Sequence, residues 1–135
     1  MADEAIIVEL LGNKGDPVRY TVDDAIAVAK GSVMELTTPR TMKIISAVDK
    51  PIAGILAAEK VANDGQTSMA VYTNGIFQLK TGAAETATIG DYVSAGAVVN
   101  QINLSSTLDV EKGWAIGYAM QDIGNAATGM IRVLL

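Results

Sequence analysis

The chain has 135 residues, of which half are apolar but only 4% are aromatic, and its formal net charge is −5. This length favours a single domain that buries roughly two-thirds of its unfolded surface. Because Cys and His are absent, the sequence excludes disulfides, thiol nucleophiles, histidine-based catalytic triads and the commonest zinc ligands. The ten basic residues are scattered singly along an acidic chain, so we expect no nucleic-acid partner.

The N-terminal segment combines negative charge with an apolar run. Residues 1–24 hold six acids and two bases, a local charge of −4. Within them, Ile6, Ile7 and Val8 favour a strand, and the Gly, Asn and Pro of residues 12–17 break it. Two interpretations remain open. Residues 1–14 are either the first strand of the core or an arm that becomes ordered on a partner, with residues 15–135 forming one β domain.

The sequence indicates neither a membrane-spanning helix nor a secretory signal peptide. No run of about 18 uncharged apolar residues is present, so we expect no transmembrane helix. The chain begins Met-Ala-Asp-Glu, which is acidic where a signal peptide is basic. We therefore expect no signal-peptide export and no membrane partner.

From Val18 onwards, short apolar segments alternate with Gly, Asn, Asp and Pro, which predicts many short strands joined by turns. The predicted strands cover residues 18–22, 32–36, 42–46, 52–57, 68–72, 76–79, 98–102, 114–120 and 129–135, and residues 88–93 are predicted to be a turn that leads into a strand. In the second of these, Val33 and Glu35 share one face, and Met34 and Leu36 share the other. Asn74-Gly75 between two apolar runs predicts a tight hairpin turn, because both residues tolerate a positive φ.

The acidic residues do not predict a reaction centre. Asp23 and Asp24 precede residues 25–31, which fit one helical turn or a loop. We interpret this Asp pair as a cap or turn, because no third oxygen ligand follows at an EF-hand spacing. The acids available to an enzyme are Asp23, Asp24, Glu59 and Asp122, and no pattern pairs two of them across a site. We expect no catalytic residue, metal, cofactor or small-molecule substrate.

A weak internal repeat divides the chain into two similar halves. Residues 52–57 line up with residues 115–120, and each segment has a glycine in its interior, Gly54 or Gly117. An acidic residue, a polar turn and a Met-containing strand follow both. Two such copies predict a mainly β fold, a small barrel or sandwich of short antiparallel strands with little helix. The two glycines indicate a bend or a close backbone approach.

The large side chains offer one candidate anchor for a protein interface. Interface cores favour aromatic residues and Met over charged residues. Trp114 is the single Trp of the chain and is the candidate, with an ordinary core position as the alternative. Core positions are expected for the methionines after the first residue: Met34, Met42, Met69, Met120 and Met130.

Five segments, taken in order, resemble the head-decoration, or cement, proteins of tailed viruses, including the lambda-type decoration protein and related small cement proteins. They are GDPVRYT (15–21), AVAKGSVMEL (27–36), PIAGILAAE (51–59), VYTNGIF (71–77) and MIRVLL (130–135). The resemblance covers most of the chain from about residue 15.

This resemblance implies a small, β-tulip-like fold that forms homotrimers on the outer surface of a viral head. It also implies that the trimers bind the major capsid protein and stabilise the head against the pressure of the packaged genome. The protein would be made in the host cytoplasm and end in the virion. An N-terminal segment lies against the capsid in that family. The corresponding apolar residues here are Ile6, Ile7, Val8, Leu10 and Leu11.

A second resemblance points to a different class, the biotinyl or lipoyl carrier domains. Residues 41–44 (TMKI), followed by Lys50-Pro51 and Asn63-Asp64-Gly65, are similar to the hairpin of such domains, with Lys43 as the attachment site. The residues before Met42 differ from that pattern, and no closing Val-x-x-Gly-x-x-Leu follows Gly65. Intact mass separates the two hypotheses, because a carrier would hold a cofactor-sized adduct on Lys43.

Overall fold

The protein is mainly β: of the residues that the structure describes, 47% are in strands and 4% in helix. A computed structural model describes residues 3–9, 18–96 and 98–135. The elements in chain order are β1 Ile6–Glu9, β2 Val18–Thr21, β3 Val33–Thr38, β4 Thr41–Ile44, β5 Ile52–Leu56, β6 Ser68–Tyr72, β7 Asn74–Thr81, β8 Tyr92–Ala95, β9 Gln101–Leu104, α1 Thr107–Glu111, β10 Gly117–Ala119 and β11 Thr128–Leu134.

These strands close into two small five-stranded barrels. Barrel one has the order β2-β4-β3-β5-β6, and barrel two has the order β7-β11-β10-β8-β9 with β9 paired back to β7. Most neighbouring strands are antiparallel, as we predicted. The pairs β2–β4 and β7–β9 are parallel, which we did not predict. The prediction of a small, mainly β barrel is confirmed.

The two barrels have the same connectivity, which accounts for the internal repeat. Each strand of barrel one corresponds to the strand five places later in barrel two. An isolated bridge joins Val28 to Lys60 in barrel one, and the equivalent bridge joins Ala87 to Ile123 in barrel two. Each copy of the repeat therefore closes a barrel of its own.

The core has one part inside barrel one and a larger part that both barrels share. β3 contributes to both, because Met34 packs inside barrel one while Val33 packs with the cluster of barrel two. This alternation confirms the two predicted faces of residues 33–36. Barrel one buries Val22, Val28, Met34, Met42, Ala53, Leu56, Met69 and Val71. The shared cluster includes Val33, Ile45, Ile52 and Ile55 of the first half with Phe77, Leu79, Val93, Ile102, Ile116 and Ile131 of the second.

The hairpin predicted at Asn74-Gly75 is wrong. Both residues lie inside β7, where Asn74 pairs with Leu134 and Gly75 pairs with Val133. Thr73 alone separates β6 of barrel one from β7 of barrel two. The chain stays extended there because it passes from one barrel into the other, and this part of β7 pairs with β11, the last strand of the chain.

The short helix α1 lies between two predicted strands, in a segment for which we predicted no helix. Its start is a capping box: the Asp109 amide donates to Ser106 Oγ (3.1 Å), and the Ser106 amide donates to Asp109 Oδ2 (2.9 Å). The Ser-x-x-Asp spacing is the signal that could have predicted it. Residues 25–31 are loop rather than helix, and Asp23 Oδ1 accepts the Ala25 amide (2.9 Å), which confirms the turn interpretation of Asp23.

Candidate functional site

Strand β1 is an exposed, apolar edge strand. It pairs antiparallel with β7, and it has no second strand partner among the described residues. All of its residues are exposed: Ile6 by 57%, Ile7 by 36% and Val8 by 46%. A register shift between Ile7 and Glu9 leaves Val8 at a β-bulge. Exposed apolar edges of this kind are usually covered by another element, so β1 is the first candidate for a docking surface.

The residues just before β1 attach it firmly to both barrels. Ala5 is buried in the shared core, and its amide donates to the Gly31 carbonyl (2.6 Å). Asp3 accepts a hydrogen bond from Gln101 Nε2 (3.0 Å) and forms an ion pair with Lys80 (3.4 Å). The bond from Gln101, aided by Lys80, holds the pKa of Asp3 below its ordinary value. The apolar side chains of β1 are therefore presented on an anchored backbone.

A groove of about 500 Å³ runs beside β1. Ile6 of β1 and its register partner Gln78 of β7 both line it. Charges of both signs border it: Glu4 on the side of β1, and Lys30 and Lys80 on the side of the barrels. A partner covering β1 would meet apolar side chains flanked by these charges.

The structure brings together three of the predicted contact residues. Ile6, Ile7 and Val8 are consecutive in β1 and exposed. Leu10 and Leu11 lie outside the described residues. The arm interpretation, in which this segment becomes ordered on a partner, stays a prediction. As a strand, it belongs to the sheet of barrel two but not to the core.

Trp114 lies in a different segment, the connection between α1 and β10. It is half-buried, its amide donates to the Asp109 carbonyl (2.8 Å), and Lys112 Nζ lies 4.9 Å from the ring centroid. A cation over an aromatic face stabilises the local conformation. Its role as an interface anchor stays a prediction.

The predicted core methionines divide between the barrels. Met34, Met42 and Met69 are buried inside barrel one. Met120 directly follows β10, Met130 lies in β11, and both are half-buried. The core interpretation is therefore confirmed for the first three and is only partly met by the other two.

A buried lysine that the sequence analysis missed links two loops of barrel one. Lys60 Nζ lies 2.8 Å from Asp24 Oδ1 and 2.6 Å from Asp64 Oδ1, and it also donates to the carbonyls of Asp24 and Val61. The hydrogen bond from Lys60, with one from the Gln66 amide, lowers the pKa of Asp64 to about 2. Burial opposes the charge of Lys60, but the two carboxylates outweigh it and raise the pKa of Lys60. The internal repeat could have indicated this site, because Lys60 aligns with the apolar Ile123 of the second copy.

A second pair of acids joins the two halves. Asp109 of α1 is buried, and its Oδ1 has no hydrogen-bond donor among the described residues. The carboxyl of Asp49, in the β4–β5 connection, lies against it and has its pKa raised by that contact. Burial works against the charge of Asp109, and bonds from Ser106 and Asp49 nevertheless hold the pKa of Asp109 below its ordinary value. The pair is a contact between the β4–β5 connection and α1.

The acids considered for catalysis are in structural contacts or exposed. Asp24 binds Lys60, and Asp122 Oδ1 accepts the Ile89 amide (2.9 Å). Glu59 is exposed. Among the described residues, no group of three or more candidate ligands is arranged to hold a metal ion. Within the same residues, no helix is long and apolar enough to cross a bilayer.

Lys43 lies within β4, opposite Glu35 of β3. Its Nζ is 3.7 Å from Glu35 Oε1. The turn between these strands comes earlier, at residues 39–40. Lys43 is therefore not at the tip of a hairpin, which is where a carrier domain presents its lysine.

No family model matches the chain, and a search of curated proteins finds no significant relative.

Proposed function

We propose that this protein is a capsid decoration protein, which binds the outer surface of a viral head as a homotrimer and stabilises it against internal pressure. Its partner is the major capsid protein, and its place is the virion, after synthesis in the host cytoplasm. The single observation that carries the proposal is the exposed apolar strand β1 on an anchored backbone, in the region that the resemblance assigns to capsid contact.

The physical requirements of this role agree with the described features. A cement protein needs a rigid body and an adhesive surface. Two closed barrels supply rigidity, because closure removes free sheet edges. The unpaired edge of β1 offers backbone groups, and Ile6, Ile7 and Val8 offer apolar area. Three such surfaces in a trimer would raise occupancy through avidity even if each contact is weak.

The first test measures assembly and binding of the full chain. Light scattering after size-exclusion chromatography gives the oligomeric state. Co-sedimentation with undecorated heads, assembled from the major capsid protein of the same genome, gives binding. We expect a trimer or capsid-dependent trimer that sediments with the heads. A strict monomer that never sediments with them contradicts the proposal.

The second test assigns binding to β1. The double variant Ile6→Asp, Val8→Asp places charge on the exposed strand, so we expect wild-type thermal stability and at least about tenfold weaker head binding. Point variants are better than truncation here, because deletion would also remove the buried Ala5. Ile89→Asp, at an exposed apolar position in the β7–β8 connection, is the matched control. If both variants bound heads equally well, β1 would not be part of the interface.

A further inference from the structure

An apolar pocket of about 240 Å³ opens on the side of barrel one. It lies between the β2–β3 loop and strands β3 and β4. Its floor is formed by the buried methionines Met34 and Met42, with Val28 beside them. Ile26, which is 51% exposed, and Ile44 form its rim. The pocket therefore joins the barrel interior directly to the surface.

The equivalent position of barrel two has a mixed lining. A cavity of about 200 Å³ is found there, and Glu85, Gln101 and Asn103 line it together with Ala83, Ala84 and Val98. Glu85 precedes Ala87 by two residues, as Ile26 precedes Val28 in barrel one, so the two side chains are counterparts. The barrel closes with either lining. The apolar lining in barrel one is thus not a requirement of the fold.

The size of the pocket limits its occupant. Pockets for cofactors and other small-molecule ligands usually measure about 300–1,000 Å³. The smaller volume in barrel one suits a single large aliphatic side chain. A floor of methionines adapts to the shape of such a side chain, and an anchor residue in an apolar pocket is the usual centre of a protein interface.

One loop connects this pocket to the surface of β1. Ile26 and Val28 line the pocket, and Lys30, two residues later, lines the groove beside β1. The next residue, Gly31, accepts the hydrogen bond from Ala5 that anchors β1. Four residues span at most about 14 Å, so a partner that covers β1 is within reach of the pocket. On the pocket's rim, Asp23 and Lys43 provide one charge of each sign for the residues beside an inserted side chain.

We propose that the pocket of barrel one receives one aliphatic side chain, Leu, Ile or Met, from the protein that docks on β1. The proposal rests on the proposed function in taking that protein to be the major capsid protein. β1 then supplies the extended contact, and the pocket supplies the anchor that fixes its register.

The pocket can be tested without any capsid. The full chain is labelled with ¹³C at its methionine methyl groups and titrated with N-acetyl-leucinamide. We expect saturable shifts at the methyl groups of Met34 and Met42, but not at that of Met130. N-acetyl-glycinamide should give none, and Ile26→Glu, which copies the residue of barrel two, should abolish the response to the leucine compound. No saturable shift up to the solubility limit overturns the pocket as a binding site.

Head binding then identifies the occupant. Ile26→Glu should weaken co-sedimentation by at least about tenfold, while Ile89→Glu, outside the pocket, should bind as the wild type does. If the β1 variant loses binding but Ile26→Glu does not, the pocket proposal fails and the proposed function stands. If the wild type never binds heads although Met34 and Met42 respond, the proposed function fails. A change of oligomeric state in Ile26→Glu would make the occupant a second copy and overturn the proposed partner.

Discussion

At the scale of single residues, Gly54 and Gly117 explain how such small barrels close. They occupy equivalent positions in β5 and β10, each beside the backbone of a neighbouring strand. A Cβ atom on Gly117 would collide with the Arg132 carbonyl, and one on Gly54 would approach the Tyr72 carbonyl. The close backbone approach that we predicted from the repeated glycine is confirmed at both positions.

Replacing Gly117 with Ala should therefore be destabilising. We expect a loss of about 1–3 kcal/mol or more in the free energy of unfolding, because the methyl group meets backbone rather than a side chain that can move. Urea denaturation followed by circular dichroism measures it. Gly124→Ala is the control, since a Cβ there meets nothing within 4 Å. If both variants had the same midpoint, the tight strand contact would be wrong.

Another pair of residues shows how the two copies diverged. Gly129 lies on β11 where Met69 lies on β6, and the side chain of Ile123 fills the space above Gly129. In barrel one Met69 supplies a side chain at that position, and the counterpart of Ile123 is Lys60, whose ammonium group reaches Asp24 and Asp64. An apolar residue in one copy thus corresponds to an ionic link in the other.

At the scale of elements, this ionic link joins the β5–β6 loop to the β2–β3 loop. Asp64 also accepts the Gln66 amide (2.9 Å), and Asp24 accepts the Gly65 amide (2.9 Å). The long exposed loop of residues 61–67 is therefore attached through its middle, where the amides of Asn63 and Gly65 donate to Asp24. Its stability depends on the charge of the two carboxylates.

The stability contributed by Asp64 should depend on pH in a predictable direction. Its folded pKa is about 2, against 3.8 for the ordinary carboxyl, so the contribution is fully present above about pH 5. It is lost as the pH falls through 3.8 towards 2. We expect Asp64→Asn to be less stable than the wild type at pH 7, and the gap to narrow by pH 3, in urea unfolding. Glu59→Gln, an exposed neighbour, is the control; a pH-independent gap would contradict the ionic link.

β1 is the other element whose role in the fold depends on its tertiary contacts. The sequence left open whether it was a core strand or an arm. In the structure it is neither a buried strand nor a detached one: Ala5 anchors it in the core, and the four residues that follow are exposed. An anchored edge strand loses less conformational entropy on docking than a free segment would.

At the scale of the whole molecule, the two barrels share one core. Ile45 and Val33 of the first half pack in the same cluster as Phe77 and Ile131 of the second. The Val33 amide also donates to Oδ1 of the buried Asn100 (2.9 Å). Neither barrel completes its burial alone, so the molecule should behave as one cooperative unit.

We expect a single unfolding transition in calorimetry, with equal calorimetric and van't Hoff enthalpies. Ile45→Ala should lower the free energy of unfolding for that single transition by about 2–5 kcal/mol, because it removes buried apolar volume from the shared cluster. The exposed Val48→Ala is the matched control. Two separate transitions, with only one displaced by Ile45→Ala, would indicate that the barrels fold independently.

The β class, the tandem repeat, the tight glycines and the two faces of β3 could all be predicted from the sequence. All of these follow from local patterns, because side-chain alternation and glycine positions are properties of short segments. The Ser106–Asp109 capping box was readable in the same way and was missed. The apolar residues of β1 were also found from composition, although their exposure was not.

The pairing of the strands, and therefore the way in which the repeat is built, could be read from the three-dimensional structure but not from the sequence. Asn74-Gly75 has a hairpin signature, yet β7 pairs with β11, because burying both halves against a shared core outweighs a local turn preference. The same long-range pairing put Lys60 between two aspartates, left one edge of β1 unpaired and opened the pocket at Ile26. Those features depend on residues distant in the chain, so no local pattern could specify them.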